Sequence, residues 1–158
     1  MNVQQKTKEK GFTIIEVVLV LAIAGLIFLM VFIALPALQR SQRDTQRKQD
    51  LSRALTQVNN YQSNNRNSLP SDWNAFATNY LRASGDTFAD PSGGDYTFQT
   101  PVVGLSTLTG SFSTSNQGNI YVNTGATCGT DGSVVAAGSN KVSLRLYLEG
   151  GGIDCTNN

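Results

Sequence analysis

The sequence contains no histidine, which removes His-dependent triads and dyads and the His-ligated zinc centres. Ser–Lys and carboxylate chemistry stay open. Only 15% of the 158 residues are charged, and twelve Lys and Arg against eleven Asp and Glu leave a net charge of +1. That balance argues against a nucleic-acid binder working by bulk electrostatics. Two cysteines are too few for a metal cage and enough for one disulfide. No arrangement of Ser, Lys and Asp forms a recognisable catalytic motif, so the chain is not expected to be an enzyme.

The charge that is present is sorted along the chain. Lys6, Lys8 and Lys10 face only Glu9 in a short basic leader, and Glu16 then stands alone. From Val17 to Gln39 there is no charge at all. Arg40, Arg43, Arg47, Lys48 and Arg53 follow against Asp44 and Asp50, and the remainder is mildly acidic. The uncharged run Val17–Leu35 is nineteen residues long. As a helix it would span about 28 Å, close to the hydrocarbon thickness of a bilayer. It is apolar all round, so a transmembrane helix is predicted, with a fully buried core helix as the alternative.

Residues 39–50 are polar on every face, and Arg40–Asp44 and Asp44–Lys48 have the spacing of helical ion pairs. Leu51, Ala54, Leu55, Val58 and Tyr61 then fall on one helical face. Pro36 is the only proline near the junction. These patterns predict one helix from about Phe12 to about Tyr61, roughly 75 Å long. Its first half would sit in lipid, and its last stripe would dock on a globular head. A turn-rich linker follows at Ser63–Asp72, then a short helix capped by Ser71 with Trp73, Phe76, Ala77, Tyr80 and Leu81 on one face.

Beyond Asp86 the chain reads as β. Tyr96 and Phe98 alternate with polar neighbours, and Ser111–Ser115, Asn119–Asn123 and Ser133–Ala137 are short strand candidates. The clearest strand is Lys141–Glu149, with Val142, Leu144, Leu146 and Leu148 on one side and Ser143, Arg145, Tyr147 and Glu149 on the other. The expected fold is therefore α+β: a long N-terminal helix packed on a C-terminal antiparallel sheet. Cys128 and Cys155 would close a 28-residue loop. A crosslink there contributes about 3.5 kcal/mol by chain-entropy arithmetic if the head lies in an oxidising compartment; otherwise two free thiols remain.

The string Gly11-Phe-Thr-Ile-Ile-Glu16, supported by Ala22-Ile-Ala-Gly25, resembles the N-terminus of the type IV pilin family, including the pseudopilins of type II secretion. That resemblance implies a class III signal peptide cut by prepilin peptidase between Gly11 and Phe12, with N-methylation of the new Phe12 amine. An ordinary secretory signal loses its apolar segment, whereas this one would keep it. The implied division is a leader (1–11), a transmembrane and filament-core helix (12–36), an amphipathic continuation (37–62) and a β-rich head (63–158).

Glu16 is the sharpest residue. A carboxylate in hydrocarbon costs roughly 2.5–3.5 kcal/mol on insertion scales. The resemblance implies that it pairs with the Phe12 amine of a neighbouring subunit and sets the stacking register. The plainer reading is a capping box, Thr13-x-x-Glu16. Gly25 matches a common family glycine, while many relatives carry proline three residues before Pro36, where Ile33 stands here. Gly25 and Pro36 are accordingly candidates for helix loosening in a filament, with close helix packing as the alternative for Gly25. Counting Lys and Arg around the apolar run would leave the head in the cytoplasm. The resemblance implies a dedicated export machinery that overrides the count.

The resemblance implies these partners: other copies of the chain in a homopolymeric filament, prepilin peptidase, and the pilus assembly machinery of the cytoplasmic membrane. The localisation it implies is a single-pass precursor in that membrane, then an extracellular filament serving adhesion, motility or DNA uptake through a surface or DNA ligand. The basic segment 40–53 is expected to meet acidic head surface on adjacent subunits. The alternatives are a pseudopilin or minor pilin of a secretion or competence system, or a membrane-tethered binding domain that never polymerises. No cofactor is expected. The turn at Asp90-Pro-Ser-Gly-Gly94 is similar to one in major pseudopilins, some of which bind calcium, and Asp90 and Asp95 are the weak candidate ligands.

Overall fold

The computed structural model describes residues 11–99, 108 and 110–158. The leader through Lys10 and the end of the Tyr96–Pro101 stretch lie outside the described residues. By its contacts the chain divides into two compact units, one ending at Leu38 and one spanning Gln39–Asn158. Helix α1 (Ile14–Asn64) contributes to both.

Within the first unit α1 is uncovered. Every large apolar side chain from Phe12 to Leu38 is between 47% and 89% exposed. Pro36 lies inside the helix and lacks the N–H that would bond the carbonyl of Phe32. The helix nevertheless runs unbroken through Gly25 and Pro36 in the single chain.

The second unit is α+β, with the last part of α1 packed on a sheet. Leu51, Ala54 and Val58 of α1 are fully buried, and Leu55 and Tyr61 pack beside them, as their shared face predicts. Helix α2 (Trp73–Phe76) continues into a π-helical turn, Ala77–Leu81. The cap is Asp72 rather than Ser71, because its Oδ1 accepts from the N–H groups of Asn74 (2.8 Å) and Ala75 (3.0 Å). The strands are β1 (Thr97–Gln99), β2 (Asn119–Thr124), β3 (Ala126–Cys128), β4 (Val134–Ala136), β5 (Val142–Tyr147) and β6 (Ile153–Asn157). A four-stranded sheet has the order β1-β2-β5-β6, and β3 and β4 form a separate antiparallel ribbon. Strands β2, β5 and β6 are antiparallel neighbours, but β1 runs parallel to β2. The connection from Gln99 to Asn119 is long enough for the crossover that a parallel pair needs.

One strand expectation changes, and one strand is added. Ser111–Ser115 leads into a turn, where Asn116 Oδ1 accepts from Ser113 N (2.7 Å) and Asn116 Nδ2 donates to Ser111 O (2.9 Å). A side-chain amide thus satisfies backbone groups that a ladder would otherwise take. Strand β6 carries no apolar alternation and is found only through its pairing to β5.

The sheet face toward α1 carries Ile120, Val122, Val142, Leu144 and Leu146, against Trp73, Phe76, Phe88 and Phe98. Trp73 and Phe88 each stack on Phe98, with centroids 5.7 and 6.3 Å away. The alternation along β5 holds, but its other face is buried too: Ser143, Arg145 and Tyr147 are all covered. Arg145 donates to Asn123 Oδ1 (2.7 Å) and to the carbonyl of Gly132 (3.3 Å). The Cys128–Cys155 disulfide joins β3 to β6, with Cα atoms 5.8 Å apart.

The polar segment of α1 is the other departure. Asp44 and Arg47 are buried, not solvated. Arg47 spends all five N–H donors: two on the Asp90 carboxylate (2.7 and 3.0 Å), and one each on Asp44 (2.9 Å), Ser92 Oγ (2.7 Å) and Glu149 (3.4 Å). Its guanidinium also lies 4.7 Å from the Phe112 ring centroid. Burial alone would lower the Arg47 pKa, but the bonds to Asp90, Asp44 and Glu149 outweigh it and hold it above the usual arginine value. Arg43 grips Glu149 with two donors, at 2.7 and 2.5 Å. Asp44 accepts from the backbone N–H groups of Glu149 (2.8 Å) and Gly150 (2.7 Å). Asp44 therefore pairs with Arg47 and a loop rather than with Arg40 and Lys48. Arg40 sits 3.8 Å from Glu149, and Arg53 bonds Asp86. Four of the five basic residues of this segment thus meet carboxylates of their own head, and of these Arg47 alone is fully buried.

Replacing Arg47 with Met should cost about 3–5 kcal/mol, since buried carboxylates lose their partner. Thermal unfolding of the detergent-solubilised chain measures this, and Asp90→Asn in the same background should recover part of the loss. A loss below about 1 kcal/mol would refute the strain assigned to the orphaned carboxylates. Asp154 supplies a second prediction. Burial pushes its carboxylate above the ordinary 3.8, against a smaller pull from Lys48. Its ionised form is then disfavoured by folding, so stability falls as pH rises from 3.8 through the raised value. Asp154→Asn should therefore raise the melting temperature at neutral pH and lose that advantage below pH 3.8. An equal gain at both pH values would contradict the assignment.

Candidate functional site

The N-terminal site is built on the start of α1. Thr13 precedes the helix, and Glu16 lies in its first turn. Glu16 Oε2 accepts from Thr13 N (2.9 Å) and from Thr13 Oγ1 (2.7 Å). This is the return half of the capping box: the carboxylate satisfies the N–H at the helix entrance. The threonine hydroxyl donates to the same oxygen. Among the described residues Glu16 Oε1 has no partner.

Phe12 is 89% exposed. Phe12, Glu16, Val17, Val20 and Leu21 line one shallow recess of about 470 Å³, apolar but for the carboxylate. Among the described residues, a Cβ built on Gly11 or Gly25 meets nothing within 4 Å. Neither glycine is required by packing inside the single chain. In mid-helix Gly25 even costs about 1 kcal/mol relative to alanine.

Helix α1 is long and apolar enough to cross a bilayer, and none of its most apolar stretch is covered by the rest of the described chain. A carboxylate at the head of such a surface can accept a hydrogen bond or an ion pair, and the apolar sides can pack on lipid or on like helices. Among the described residues no cluster of three metal-ligating side chains occurs. Asp90 is taken by Arg47, while Asp95 is exposed and lies 3.7 Å from Arg82. Cys128 and Cys155 are brought together as a disulfide.

Residues 6–32 match the family model of the prokaryotic N-terminal methylation motif, the class III signal peptide of type IV pilins. The match covers the junction at Gly11–Phe12, Glu16 and most of the apolar run. It supports a pilin-like or pseudopilin-type substrate of prepilin peptidase. No curated protein and no solved structure matches the chain.

Sequence reading singled out Gly11, Phe12 and Glu16 through the resemblance of Gly11-Phe-Thr-Ile-Ile-Glu16 to the pilin N-terminus. It missed the buried Arg47 cluster, because the partners Asp90 and Glu149 lie 43 and 102 residues away. The only hint was a lone charge pair at i,i+3 beside the first apolar residue of the docking stripe.

Open space around Gly11 separates folding from processing. Gly11→Val should leave the melting temperature of the head unchanged while the precursor accumulates uncut, as read by the mass of the membrane-extracted chain. Normal cutting of that variant would argue against cleavage after Gly11.

Proposed function

We propose that the chain is the structural subunit of a type IV pilus-like filament. Prepilin peptidase cuts between Gly11 and Phe12, Phe12 is N-methylated, and the helix from Phe12 to Pro36 passes from membrane anchor to filament core. The observation that carries this reading is the uncovered apolar surface of α1 led by one carboxylate, in a segment that matches the methylation motif. A lone membrane anchor gains only a helix cap from Glu16. A helix that stacks on copies of itself gains more, because the charge fixes where the next copy sits.

The geometry around Glu16 supports both of its roles at once. Oε2 holds Thr13, and this pair survives cleavage after Gly11. Oε1 is left for the new amine of a neighbouring Phe12. Capping and pairing then use different oxygens of one carboxylate. Gly25 offers a close approach between helices, and Pro36, already short of one backbone bond, is where the helix loosens most cheaply. The disulfide suits a head that leaves the reducing cytoplasm. The head then forms the filament's outer shell and carries adhesion, motility or DNA uptake. A pseudopilin or minor pilin would share the same helix chemistry but be scarce in purified filaments.

The mature chain should begin at methyl-Phe12, seen by mass spectrometry of the intact protein. Glu16→Ala should show the same processed N-terminus with filament yield reduced at least tenfold. Wild-type yield from that variant would overturn the pairing, and a mature chain that still begins at Met1 would overturn the whole reading.

A further inference from the structure

The β3–β4 ribbon is built apart from the rest of the head. Gly125, with φ of 68°, precedes it, and Gly138 follows it. Its backbone closes on itself. Ala126, Thr127 and Cys128 pair with Ala136, Val135 and Val134, and Ala137 N donates to Gly125 O (2.8 Å). At the tip, Gly129 N donates to Ser133 O (2.9 Å) and Ser133 N to Thr130 O (3.1 Å). Ala126 and Val134 are buried, yet neither belongs to the core that joins α1, α2 and the four-stranded sheet.

Polar contacts and one crosslink tie the ribbon to that sheet. Gly125 N donates to Lys141 O (2.7 Å) at the base, Cys128 N to Asn157 Oδ1 (3.1 Å), and Arg145 Nη1 to Gly132 O (3.3 Å) near the tip. The crosslink is Cys128–Cys155, and both of its residues are partly exposed, within reach of a thiol reagent.

The seat under the ribbon supplies an independent observation. Ser143 shares its side of β5 with Arg145, which reaches the ribbon at Gly132. Ser143 is fully buried, and its Oγ has no hydrogen-bond partner. A covered hydroxyl without a partner is disfavoured, and water would supply one once the cover lifted. An isolated two-stranded ribbon is itself marginal in water. Nothing in this seat resembles the apolar contact that holds α1.

We infer that the Cys128–Cys155 disulfide is a redox-operated clasp. Reduction releases residues 126–137 to swing between Gly125 and Gly138, while α1 and the sheet β1-β2-β5-β6 keep their fold. The reductant is a dithiol: the Cys128–Cys155 S–S bond breaks, two cysteine thiols form, and the dithiol leaves as its own disulfide, so two electrons and two protons are passed on. Oxidation seats the ribbon again, and the seated form belongs to an oxidising compartment. The inference does not depend on the filament reading, since every group it uses lies within the head.

The test is amide hydrogen exchange of the full chain in detergent micelles, oxidised, treated with dithiothreitol, and reoxidised. Reduction should speed exchange at residues 126–137 at least tenfold and leave β2 and β5 within threefold of the oxidised chain. Reoxidation should restore the ribbon's protection. In the reduced state Ser143→Ala should protect the ribbon at least threefold better than the wild type, because its seat no longer covers an unpaired hydroxyl. Unchanged ribbon protection after reduction would overturn the clasp. Joint loss of protection in β2 and β5 would also overturn it, since the disulfide would then hold the whole head. So would a disulfide that dithiothreitol cannot reduce in the folded chain, as read by alkylation and mass. Equal ribbon protection in reduced Ser143→Ala would overturn the part assigned to the hydroxyl.

Discussion

Water does not accept the surface that α1 presents between Phe12 and Leu38, and everything else about the chain accommodates that fact. Nineteen large apolar side chains are exposed there. At roughly 1.5–3 kcal/mol for each side chain fully buried, their transfer to lipid or to like helices is worth on the order of 30 kcal/mol or more. The cost of carrying Glu16 along, roughly 2.5–3.5 kcal/mol, is small beside it. The apolar area therefore supplies a driving force that outweighs the carboxylate many times over. Thr13 lowers its cost further by engaging one oxygen.

The head meets a different constraint. Its core is modest, so the docked end of α1 is held by charge as well as by oil. Leu51, Ala54 and Val58 supply the apolar contact. One turn earlier, Arg47 closes a cluster with Asp44, Asp90 and Glu149. A buried ion cluster is weak evidence for net stability, because desolvation offsets much of the attraction. What it provides is geometry: five directed donors meet five acceptors, and one helical register satisfies them together.

Elements written in local pattern were legible in the sequence. The apolar run, the docking stripe and the Lys141–Glu149 alternation gave the long helix, its packing face and β5. Gly11-Phe-Thr-Ile-Ile-Glu16 gave the candidate processing site. Features that depend on distant partners were not legible. Strand β6 has no periodicity of its own, β1 reveals its parallel sense only beside β2, and Asp44 reads as a surface residue until the Glu149 loop arrives. The second buried face of β5 was hidden for the same reason, since the polar Ser143 and Arg145 look solvated until the β3–β4 ribbon covers them.

The closure of Asp44 on the Glu149–Gly150 loop has a consequence for synthesis. Its two backbone partners follow it by 105 and 106 residues. At ribosomal speeds of about 5–20 residues per second, they emerge roughly 5–20 s later. Throughout that interval Asp44 has left the ribosome without its two loop partners. The closure of Asp44 thus waits until the chain through Gly150 has been made.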